Sequence, residues 1–174
     1  LRNFYPTGLV QWVIAQGGWN PRRNFESLAR EYLEAAFGPV AGEVRSYLEG
    51  FAAATGKPPH AKRWWQDVSK AKAQRVAGYL REWAPRLQAL TKVVGTASYL
   101  SAGVRHGRPQ ADAIRTHRQA VAVLRHHHRL HTMLWQAILG HGNGNDAKAK
   151  GPFDRAEAFL RRTERTLHQY ANFE

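Results

Sequence analysis

Cysteine is absent from this chain, methionine occurs once, and carboxylates are scarce: 13 Asp and Glu stand against 26 Lys and Arg in 174 residues. Without cysteine there is no disulfide framework, no thiolate metal site and no thiol nucleophile. That absence leaves the compartment open, because a secreted protein need not carry disulfides. Long apolar runs are missing too. The longest uncharged stretch, residues 3–21, is broken by Pro6, Gly8, Gln11, Gln16, Gly17 and Gly18, so the sequence predicts no membrane span. No segment alternates apolar and polar residues over strand length with hairpin punctuation, which argues against a β fold. What is present suffices for a core: 43% of residues are hydrophobic, with 6 Trp, 6 Tyr and 7 Phe, which excludes wholesale disorder.

The shortage of acid leaves a formal charge of +13, unevenly placed. In residues 1–50, Arg2, Arg22, Arg23, Arg30 and Arg45 are balanced by Glu26, Glu31, Glu34, Glu43 and Glu49. All of the net charge therefore belongs to the C-terminal two-thirds, and any inference about polyanionic partners applies there. The chain starts at Leu1 and its single methionine is Met133, as expected for a chain whose upstream segment has been removed or for a piece of a longer polypeptide. No signal peptide is visible.

Helical spacing recurs throughout and predicts an all-α bundle of about six helices: a short N-terminal helical unit, then three long antiparallel helices. A first helix is expected over residues 7–16, stopped by Gly17-Gly18, with Trp19-Asn20-Pro21 as a turn. Asn24 reads as the N-cap of a second helix over 25–37, and Gly38-Pro39 as the junction to a third that ends near residue 54. Thr55 to His60, with two prolines and a glycine, reads as a break. The chain divides on this reading into residues 1–55, a linker at 56–61, and a basic bundle over 62–174. Beyond the linker, Val76, Leu80, Trp83, Leu87, Leu90, Val94 and Ala97 recur in steps of four and three, a seam running through Pro85. It predicts one kinked helix over about 62–102, with a break at Pro85 as the alternative. A turn at 103–109 leads to a fifth helix over 110–139 whose inward stripe is Ile114, His117, Val121, Leu124, His128, His131, Trp135 and Ile138. After a glycine-rich loop a last helix starts at Pro152, with Phe153, Ala156, Leu160, Thr163, Leu167 and Tyr170 inward.

The order Trp19-Asn20-Pro21, Asn24, Leu28, Tyr32, Phe37-Gly38-Pro39-Val40-Ala41, Val44, Tyr47, Leu48 resembles the start of the C-terminal helical region of a family of large, mostly bacterial glycoside-hydrolase-like proteins. Those proteins combine a domain of unknown function with a hexosaminidase- or α-glucuronidase-type barrel. The resemblance covers about residues 4–52. It implies helices packed behind a catalytic barrel and carries over no catalytic residue, since that family's active site lies in the barrel. The strong basic charge beyond residue 52 departs from the family pattern.

Four histidines, His126, His127, His128 and His131, share one predicted helix. His127 and His131, spaced i, i+4, are the candidate metal pair, but no Asp or Glu lies between Asp112 and Asp146 to complete a site, and packed histidines are the alternative. Surface imidazoles there would gain charge below about pH 6.5. Arg115, Arg118, Arg125 and Arg129 form a ridge on that helix, extended by Arg161, Arg162 and Arg165 on the last one. Such a ridge suits phosphates or an acidic partner, against the alternative of a solvated helix face. Trp64 and Trp65 are candidates for stacking on a sugar or base, or for covering the end of the core. No catalytic residue, cofactor or paired catalytic carboxylates emerge from the spacing.

The leading expectation is thus a non-catalytic accessory domain that buttresses a barrel of the same parent, secreted or periplasmic. The alternatives are a basic subunit of an organellar respiratory or ribosomal assembly, or a nucleic-acid-binding module.

Overall fold

The computed structural model describes residues 7–56, 68–94, 110–142, 144 and 146–171. They form α1 (Thr7–Trp19), α2 (Phe25–Phe37), a 3-10 turn (Gly38–Val40), α3 (Ala41–Thr55), α4 (Lys70–Val93), α5 (Gln110–Gly142) and α6 (Asp146–Ala171), with no strand among the described residues. The chain is all-α. Its first three helices are 13 to 15 residues long and its last three 24 to 33, so a short helical beginning is followed by long helices.

Helix starts follow side-chain chemistry. The Asn24 side chain accepts from the Ser27 amide at 2.8 Å ahead of α2, and the Ser69 hydroxyl accepts from the Lys72 amide at 3.2 Å ahead of α4. Each satisfies an amide that the first turn leaves without a carbonyl. Gly38 (φ 56°) and Gly56 (φ 65°) end α2 and α3 in a backbone region closed to most side chains. Gly17 and Gly18 do not stop α1, which runs on to Trp19, where the Asn20 amide still reaches the Gln16 carbonyl at 2.9 Å. Glycine weakens a helix but ends it only when it takes positive φ, and these two do not.

The core has two centres. Leu33, Phe37 and Val40, Val44 and Tyr47 of α3, Trp83, Leu87 and Leu90 of α4 with Val94, and Val121 and Leu124 of α5 pack as one cluster. Ala54, Ala73, Val76, Leu80 and Trp135 form the second. The predicted seam of α4 is buried at each of its described positions, and the helix passes through Pro85 without a break. Matching positions fall in opposite order on neighbouring helices: Val94 meets Arg118 while Thr91 meets Arg125, and Gly140 meets Ala149 while Arg129 meets Phe159. The pairs α4/α5 and α5/α6 are therefore antiparallel.

Two expectations about α6 are corrected. It starts at Asp146 rather than Pro152, with the proline inside it. A Cβ at Gly140 would lie 2.9 Å from the Ala149 amide nitrogen, so that glycine lets the first turn of α6 close onto α5 and extends the helix ahead of its proline. The buried stripe is Ala156, Phe159 and Thr163, whereas Phe153 is 55% exposed and Leu160 44% exposed. Phe159 lies about one helical step from the axis of the expected stripe, and α5 selects it because His126 and Arg129 both reach its ring. α5 likewise continues to Gly142. The helix expected over 62–102 is shorter: Val68 and Ser69 are not helical, the Ser69 cap sets its start at Lys70, and it ends at Val93. Residues 57–61 of the 56–61 linker, Trp64 and Trp65, and the turn at 103–109 lie outside the described residues.

The exchange of Phe153 for Phe159 is directly measurable. Phe159→Ala should cost about 3–5 kcal/mol in urea unfolding, and Phe153→Ala within about 0.5 kcal/mol of nothing.

Candidate functional site: a histidine stripe and an arginine edge on α5

α5 turns two different faces to the protein. On one, His117, Val121, Leu124, His128 and Trp135 are buried toward α2, α3 and α4. The Tyr47 ring of α3 is the centre of an aromatic cluster there, with ring centroids 5.5 Å from Trp83, 6.1 Å from Tyr79 and 5.8 Å from His128. The Tyr47 hydroxyl lies 3.4 Å from His128 Nδ1. Phe51, one turn on, meets His131 edge-on at 4.9 Å and His127 at 6.0 Å, while the His127 and His131 rings are tilted at 51° to each other with centroids 4.2 Å apart. The Tyr79 hydroxyl donates to the Tyr47 carbonyl at 2.6 Å. That approach requires Gly50, where a Cβ would fall 2.6 Å from the Tyr79 hydroxyl oxygen.

These imidazoles are not a proton reservoir at mild pH. Burial pushes His127 down to about 3 and His131 down to about 4, and the neighbouring histidines add to the depression. Burial also lowers His128 and His117, the second partly offset by a bond to the Ala35 backbone. His126, on the other side of α5, is lowered by burial and by Arg125 and Arg129. The sequence-based expectation of charging below about pH 6.5 is therefore corrected: an imidazolium here would lose its water without gaining a carboxylate. The same desolvation raises the Tyr47 hydroxyl and pushes Tyr79 up to about 12. Among the described residues, no group of three or more His, Asp or Glu comes together as metal ligands, and the His127–His131 pair faces a phenyl ring.

The second face carries arginines. Arg115, Arg118, Arg125 and Arg129 are exposed on α5, and their spacing places them along one edge. Arg118 Nε donates to the Val94 carbonyl at 3.1 Å, closing the C-terminal end of α4, where a cation is favoured. Arg125 donates to the Thr91 hydroxyl at 3.4 Å, and the Arg129 guanidinium lies 5.0 Å over the Phe159 ring. Arg161 and Arg162 are exposed on α6, but they diverge: Arg161 pairs with Glu157 at 2.6 Å, whereas Arg162 projects to the side of the helix that carries Phe159. The side chain of Arg165 lies outside the described residues.

The described ion pairs are Arg23–Glu31, Arg45 with Glu26 and Glu49, Arg86–Glu82, Lys150–Asp154 and Arg161–Glu157, all on the surface, where water and salt screen them. None of these carboxylates belongs to the histidine cluster, so the cluster has no acid–base partner among them. Sequence reasoning missed Tyr79, Gly50, Phe159 and Arg155. A glycine inside an otherwise regular helix was the available signal for Gly50, since it marks a close approach.

No helix among the described residues is long and apolar enough to cross a membrane.

Protonation gives a signed prediction. The folded state holds His127 and His131 below their ordinary value of 6.5, so their neutral packing is intact above that pH. Stability then falls as pH drops from 6.5 toward 4, by up to about 1.4 kcal/mol per pH unit for each histidine. Urea midpoints measured at pH 7 and pH 4.5 should differ strongly in the wild type and less in His131→Leu; an equal loss in both would refute the assignment. No family model, curated protein or solved structure matches the chain.

Proposed function

We propose that the chain is a non-catalytic helical accessory domain of a carbohydrate-active, glycoside-hydrolase-like protein, packed against the catalytic barrel of the same parent. The observation that carries this reading is the surface around the Trp19-Asn20-Pro21 element. Trp19 is 89% exposed, and Ile14 and Phe25 of the same two helices are exposed as well. α1 packs mainly on α2 and buries little of its apolar surface elsewhere. Tryptophan is among the residues that most often anchor a contact with another protein. The turn itself is built: the Asn20 side chain accepts from the Arg22 amide at 3.2 Å, its carbonyl accepts from the Arg23 amide at 3.1 Å, and Asn24 starts α2 three residues after Pro21. Trp19 is thus presented by a short, internally bonded corner.

What the site can do chemically agrees with a supporting role. The histidines are held neutral among aromatic rings, and Glu26, Glu49 and Glu82 pair with surface arginines. The barrel is where the chemistry of such a protein would lie.

Expression of the parent protein with its barrel tests the reading. Oxidative footprinting should label Trp19 readily in the isolated chain and at least about fivefold less when the barrel is present, as burial of a large aromatic at an interface demands. Trp19→Ala should weaken association of the separately expressed barrel by about tenfold or more. A parent coding sequence without a barrel, or a barrel that leaves Trp19 equally labelled, would contradict it.

A further inference from the structure

The edge shared by α5 and α6 collects arginines from both helices. The contact of Phe159 with Arg129 fixes which side of α6 faces the arginine edge of α5. Helical spacing then puts Arg155 and Arg162, one turn either way from Phe159, on that same side. The antiparallel register set by Gly140 against Ala149 and by His126 and Arg129 against Phe159 places Phe159 level with Arg129 and Arg162 level with Arg125, while Arg155 lies one turn farther along, its guanidinium reaching back along α6 to Gly151. Arginines thus follow this edge on both sides of the Arg129–Phe159 contact, with Arg118 continuing the row toward the end of α4.

Among the described residues, no carboxylate pairs with Arg125, Arg129, Arg155 or Arg162. Asp154 and Glu157 project to other sides of α6, where they pair with Lys150 and Arg161 at 2.6 Å. Like charges gathered on one edge repel, and the field they create concentrates a polyanion along it.

We infer that the α5–α6 edge is a binding surface for a linear acidic polysaccharide, its carboxylates held by the forked guanidinium groups of Arg125, Arg129, Arg155 and Arg162. Arginine matches a planar carboxylate with two parallel donors, which a lysine surface would not do. A single-stranded nucleic acid would call for exposed aromatics on which bases stack, whereas the one aromatic ring described on this edge, Phe159, is only 9% exposed beneath Arg129. The choice of a glycan over duplex nucleic acid rests on the accessory-domain reading above. The edge places anionic polymer along α5, on a surface separate from Trp19.

Binding of the full chain to labelled polygalacturonate, to a neutral glucan and to a duplex DNA of matched charge tests this. The wild type should bind polygalacturonate in a salt-dependent way, more tightly than the duplex, and leave the glucan unbound. The triple variant Arg129→Gln, Arg155→Gln, Arg162→Gln should lose about tenfold or more in affinity at about 50 mM salt. The charge-matched control Arg30→Gln, Lys150→Gln, Arg161→Gln should stay within about twofold. Polygalacturonate should also raise the melting temperature of the wild type and not of the triple variant, since only a ligand of the folded state does so. Helical circular dichroism checks that both variants fold; all six replaced side chains are on the surface. Equal losses in the two variants, no binding of polygalacturonate, or tighter binding of the duplex would each overturn the inference. Loss of barrel association with glycan binding retained would fault the accessory-domain reading instead.

Discussion

Burying four imidazoles between α5 and its neighbours ties the fold to one condition, that the rings carry no charge. His117, His127, His128 and His131 meet Tyr47, Phe51 and the Ala35 backbone. Desolvation then keeps the rings neutral at ordinary pH. Tyr47 is the link that makes this local condition general: it touches Trp83 and Tyr79 of α4, Phe51 of its own helix and His128 of α5, so displacing α5 disturbs both core centres.

α5 also separates the two kinds of surface. Toward α2, α3 and α4 it is apolar and aromatic; along its free edge it is cationic and draws in Arg155 and Arg162 from α6. α6 rests on α5 through Ala156, Phe159 and Thr163. The exposed apolar group at Ile14, Trp19 and Phe25 belongs to the opposite end of the sequence, where the net charge is zero. The exposed apolar side chains and the cationic edge therefore come from different parts of the sequence.

Much of the fold was legible in the sequence because it follows from spacing and caps. The four-three seam from Val76 to Val94 is the buried face of α4, and Asn24 and Gly38 bound α2 as their chemistry requires. Errors arose where a tertiary contact decided between local alternatives. Gly17-Gly18 signals a stop only if the backbone turns left-handed, and here it does not. Pro152 signals a first turn, yet the close approach permitted by Gly140 extends α6 back to Asp146. Phe153 and Phe159 are equally apolar, and only the partner helix selects between them. The histidines were located correctly on the inward stripe, while their resistance to protonation depends on Phe51 and Tyr47, which come from another helix.

Native-state hydrogen exchange at pH 7 tests the central claim most directly. If neutral histidine–aromatic packing joins α2 through α5 into one unit, the slowest amides near Tyr47, Trp83 and His128 should open with a common free energy, while α1 exchanges at a much lower one. That common value should fall at pH 5 by the same amount in α3, α4 and α5. Amides of α2 and α3 opening independently of α4 and α5, or a common value unchanged by acid, would contradict the account.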